Sequence, residues 1–100
     1  MKPYYNAPEQ LEHLVTLSDP NASYDFSDVI LVKDTSDGKL YAAHDSGCSC
    51  PSPFESHTFP TDFTEIRSVE DFLNFMNSVE YTKYDQRDID SAIELVKANV

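Results

Sequence analysis

The sequence predicts an α+β domain: a small three-stranded antiparallel sheet over residues 12–18, 28–34 and 39–45, with two C-terminal helices, 68–79 and 86–98, packed on one face. Three observations carry this prediction. A β-branched-rich apolar run at 29–33 leads into a turn-forming cluster at 34–38 and an alternating return at 39–44, which is the pattern of a hairpin. Two apolar stripes at helical spacing fill the C-terminal third. The chain has 100 residues, 40% of them hydrophobic, which suits one core and no second domain. The expected organisation is an N-terminal arm over 1–10 and a single domain over 11–100.

Residues 1–10 contain Pro3 and Pro8 and show no periodicity. Residues 11–17 are ambiguous. Leu11, Leu14 and Val15 fit a helical face, whereas Val15 and Leu17 fit a short strand, and the β-branched pair Val15-Thr16 favours the strand. Residues 18–23 form a turn cluster. The unbroken apolar run from Val29 to Val32 implies burial on both faces or a central place in the sheet. Gly38 can supply a positive φ in the turn. On the return strand Leu40, Ala42 and His44 share one face, and Tyr41 and Ala43 the other.

Residues 45–63 read as a long Pro-rich loop whose Phe54, Phe59 and Phe63 lay it down on the core. Ser68 then caps the first helix ahead of the acidic pair Glu70-Asp71. Val69, Phe72, Leu73, Met76 and Val79 form its stripe, with Phe75 on the flank. Asp85 starts the second helix, whose stripe is Ile89, Ala92, Ile93 and Val96.

The formal net charge is -11. Residues 1–50 hold three Lys against eight Asp or Glu, and residues 51–100 hold four Lys or Arg against ten, so the acidity is spread over the chain. This argues against nucleic-acid binding, which needs clustered cations to neutralise phosphates. It keeps the chain soluble and permits either a basic partner surface or imitation of DNA. No run of 18 apolar residues is present, so nothing is expected to span a membrane. The N-terminus lacks the apolar stretch of a signal peptide, so a cytosolic protein with reduced thiols is expected.

Both cysteines, two of the six prolines and one of the two glycines fall within residues 45–55. Three chemistries compete for this segment. His44, Cys48, Cys50 and His57 invite a zinc site, but Cys-x-Cys is shorter than the usual ligand gap. A strained disulfide between Cys48 and Cys50 would make a redox switch, although Asp45 and Glu55 oppose a depressed thiol pKa. Cys48 with His44 or His57, or Asp45 with Glu55, supplies the groups for nucleophilic or acid–base catalysis at distances that sequence does not fix. The plain alternative is structural. Asp45 and Ser46 bond to local backbone, Gly47 makes a left-handed or bulged turn, and Pro51 and Pro53 stiffen a strip that Phe54 anchors over a sheet edge.

The order Phe26, residues 29–32, Asp34-Thr35, residues 38–41 and the run Asp45-Ser46-Gly47-Cys48-Ser49-Cys50-Pro51-Ser52-Pro53-Phe54-Glu55 resembles small proteins encoded by actinobacteriophages, mycobacteriophages in particular. These are uncharacterised proteins or domains of unknown function. The likeness spans roughly residues 10–75. It implies a phage origin and a bacterial host cytoplasm, and it brings no catalytic residue or cofactor. His44 and His57 lie outside the shared motif, which weakens the zinc reading.

The expected function is therefore a non-enzymatic phage accessory protein, without a cofactor, that binds a host or phage protein and neither nucleic acid nor membrane. Its expected contact surface is the 45–59 loop, with Asp45, Ser46, Cys48, Cys50, Pro51, Pro53 and Glu55, steering a partner with a basic surface. The alternative is a metal- or thiol-dependent protein built on Cys48 and Cys50.

Overall fold

The computed structural model describes residues 7–19, 25–48, 58–79 and 84–100. Four strands form one antiparallel sheet in the order β1 (Leu11–Ser18), β2 (Asp25–Asp34), β3 (Leu40–Cys48) and β4 (Thr64–Ile66). Two helices follow, α1 (Val69–Ser78) and α2 (Gln86–Asn99). The α+β class and the C-terminal helix pair agree with the sequence, and the strand count differs. β4 is three residues long and pairs only with Leu40, Tyr41 and Ala42, too short to show an alternating pattern.

The expected loop at 45–63 is also shorter. β2 begins at Asp25, four residues before its apolar run, and β3 runs on to Cys48 opposite it. The ladder proceeds without a shift from Lys33↔Leu40 to Asp25↔Cys48. Each further pair adds to a ladder already in register, so weak strand-formers such as Ser46 and Gly47 are carried into the strand. Gly47 sits opposite Phe26 as a ladder residue, not as a bulged turn.

The sheet is buried on both faces. Val29, Leu31, Leu40, Ala42 and Ile66 pack with Phe72 and Met76 of α1 and with Ile89, Ala92 and Val96 of α2. On the opposite face Ile30, Val32 and Ala43 pack with Ala7, Leu11 and Phe63, and Tyr41 and Phe59 lie against them. The continuous apolar run of β2 thus serves two cores, one per side-chain direction.

β1 changes sides part-way along. Its register shifts between His13 and Val15, leaving Leu14 as an extra residue. A β-bulge reverses the alternation beyond it. Leu11 therefore joins the second core and Leu17 the helix-side core, although an even spacing would put them on one face.

The β2–β3 turn is organised by Asp34, a buried carboxylate. Its Oδ1 accepts from the Ser36 backbone N–H at 2.9 Å and from the Ser36 hydroxyl at 2.6 Å. Gly38 closes the turn with φ +78 and donates to the Asp34 carbonyl at 2.7 Å.

Ser68 caps α1 by accepting from the Asp71 N–H at 3.2 Å, and Asp85 caps α2 by accepting from the Arg87 N–H at 2.8 Å. Leu73, expected in the buried stripe of α1, is 42% exposed, because Phe72 and Met76 fill the contact with the sheet.

Candidate functional site

Of the expected contact residues, Asp45, Ser46 and Cys48 are described, and they lie in sequence along the last part of β3. Asp45 and Ser46 are strand residues there, and Cys48 is placed by its backbone opposite Asp25. Cys50, Pro51, Pro53 and Glu55 of the expected surface, and His57 of the zinc reading, lie outside the described residues. Among the described residues no group of three or more His, Cys, Asp or Glu is arranged to hold a metal ion.

Two features distinguish this end, one on each face. On the face away from the helices, Asp28 of β2 stands directly opposite Asp45 of β3, with Ser18 of β1 opposite Asp28 on the other side. Side chains directly opposite in an antiparallel pair have Cβ atoms about 5 Å apart, and like charges there are destabilising. Asp45 Oδ1 accepts from the Ser46 N–H at 3.0 Å, which holds the carboxylate at the strand surface. Asp28 and Asp45 are both half-buried.

On the helix side, Ser27 Oγ lies 3.1 Å from His44 Nε2 and 3.1 Å from the Tyr84 hydroxyl. Ser27 is 7% exposed and Tyr84 6%. A single hydroxyl proton serves one of these contacts, so the other partner donates to the Ser27 oxygen. The chain runs either from Tyr84 through Ser27 to a neutral His44 or in the reverse direction. A serine beside an imidazole is the first ingredient of a nucleophile–base pair. Here the hydroxyl is buried and held on both sides, and it joins the sheet to the residue preceding the α2 cap.

A second cluster lies at the opposite end of the sheet, on the face away from the helices. Tyr41 meets Phe59 edge to face at 4.9 Å and 83°, and Phe59 meets Phe63 at 5.4 Å and 71°. Glu65 of β4 is directly opposite Tyr41. Burial pushes the Tyr41 phenol above its ordinary value, and Asp37 and Glu65 add to that shift against the opposing charge of Lys39.

Sequence reasoning did not single out Asp28, Ser27, Tyr84 or Tyr41. A signal existed for Asp28 alone: extending the β2–β3 hairpin outward from its turn sets Asp28 across from Asp45.

Three cations among the described residues sit beside carboxylates near them in sequence. Arg67 reaches Glu65 and Asp71, Arg87 reaches Asp85, and Lys97 reaches Glu94, each pair at the surface. No helix among the described residues is long and apolar enough to cross a membrane.

A family model described as a domain of unknown function (DUF7574) matches residues 2–100. Neither a curated protein nor a solved structure matches the chain.

Proposed function

We propose a function for a chain that belongs to the family described as a domain of unknown function (DUF7574): it is a small acidic phage accessory protein that works in the host bacterial cytoplasm by binding a host or phage protein with a basic surface, without catalysing a reaction. The contact surface is the end of the sheet bearing Asp28, Asp45, Ser46 and Cys48.

The observation that carries this reading is the Asp28–Asp45 pair. Like charges directly across a ladder are unfavourable for the fold. A cation supplied by a partner lowers that repulsion on binding, so part of the cost to the free protein becomes affinity. The net charge of -11 adds long-range steering towards a basic surface.

The test is capture from an actinobacterial lysate on immobilised protein. Retention of one stoichiometric basic protein at low salt is expected, with release at about 1 M salt, where the screening length is about 3 Å. Asp28→Asn with Asp45→Asn should abolish the retention. Failure to retain any protein at low salt, or equal retention by the double variant, contradicts the reading.

A further inference from the structure

We propose that the Tyr41–Phe59 patch is the anchor point for an arginine or lysine side chain of the basic partner, held over the aromatic rings and against Glu65 and Asp37. This rests on the acidic-binder reading above and adds a second point of engagement on the same sheet face as Asp28 and Asp45.

Three observations and one general property of aromatic rings converge on it. Tyr41 and Phe59 are half-buried, so each keeps part of its surface accessible while the rest is fixed by packing. Phe63 is buried and braces Phe59 edge to face, so the pair is rigid before any ligand arrives. An aromatic ring presents negative potential on its face, which attracts ammonium and guanidinium groups within about 6 Å of its centre. The surround is anionic as well: Glu65 sits directly across from Tyr41, and Asp37 occupies the adjoining turn with its Oδ1 fixed by the Lys39 N–H at 2.9 Å.

Two internal cations are already close: Lys39, just before β3, whose charge acts on the Tyr41 phenol, and Arg67. Arg67 Nε approaches Glu65 at 3.6 Å and Asp71 at 4.0 Å while its side chain is 78% exposed. Contacts of this kind are worth little in water, so an incoming guanidinium can exchange with it. Arginine should be preferred to lysine, because a planar, weakly hydrated cation stacks better on rings.

The experiment titrates the full-length protein at low salt with an arginine peptide and a lysine peptide of about ten residues, reading affinity and the ring resonances of Tyr41 and Phe59 by NMR. Ring resonances should move on binding, and more with the arginine peptide. Tyr41→Leu leaves the net charge at neutral pH unchanged and should weaken the arginine peptide about two- to five-fold. Tyr41→Phe should retain most of the affinity, which guards against loss of binding through misfolding.

Ring signals that stay fixed while the peptide binds, or unchanged affinity in Tyr41→Leu, would overturn the anchor and leave the acidic-binder reading standing. If neither peptide binds the wild type at low salt, both fall. Should Tyr41→Leu not fold, the wild-type ring shifts and the response of Glu65→Gln decide the matter.

Discussion

Ser27 joins two partners from distant parts of the chain: its hydroxyl contacts both His44 and Tyr84. Ser27→Ala removes the shared hydroxyl and leaves the buried Tyr84 O–H without that partner. The expected cost is about 0.5–1.5 kcal/mol for each hydrogen bond lost, read as a fall in the denaturant midpoint. Tyr84→Phe should cost less, because it removes one of the two contacts of Ser27 and leaves the other. None of this was legible in the sequence. Ser27 lies in a polar stretch before the apolar run of β2, and Tyr84 is separated from it by 57 residues. His44 shares a face with Leu40 and Ala42, as strand alternation predicts, but its partner Ser27 comes from a segment of β2 that precedes the apolar pattern. The turn was more transparent. The Asp-Gly step at 37–38 marks a tight reversal, and Gly38 takes the positive φ that it permits.

Elements were readable in proportion to how far local chemistry alone decides them. Both helix starts follow from a capping side chain ahead of an apolar stripe, and Ser68 and Asp85 are the caps. Ser68→Ala should lower stability by about 1 kcal/mol, measured by thermal or chemical unfolding. At α2 the cap is tied to pH. The Arg87 side chain, and after it the Arg87 backbone N–H, hold the Asp85 carboxyl below its ordinary value of 3.8. A carboxyl depressed in the folded state stabilises above its unfolded pKa, and that contribution is lost as pH falls through the folded value. The Arg87 amide resonance should therefore titrate with a midpoint below 3.8, and Asp85→Asn, an equally good cap, should abolish that titration. The strands were less readable where tertiary pairing overrides local pattern. In β1 the bulge at Leu14 spaces Leu11, Leu14, Val15 and Leu17 in a way that imitates a helix. β4 has three residues and exists because β3 offers it an edge.

For the molecule as a whole, a two-faced sheet explains why a chain of 100 residues can carry so much charge and still fold. Apolar positions on both sides of β2 concentrate burial in a few residues, and acidic groups are left at strand ends, turns and helix surfaces. The acidity itself was plain from composition, but the pairing of Asp28 with Asp45 needed the ladder register, which no count of residues supplies. That pair is the centre of the functional account, because it sets stability against binding. The measurement that tests it most directly compares unfolding midpoint and partner affinity for the wild type, Asp28→Asn and Asp45→Asn. The account predicts that each substitution raises stability, by about 0.2–1 kcal/mol for relief of a directly opposed like-charge pair, while partner affinity falls. A drop in stability in both variants, or a gain in stability with affinity untouched, would contradict it.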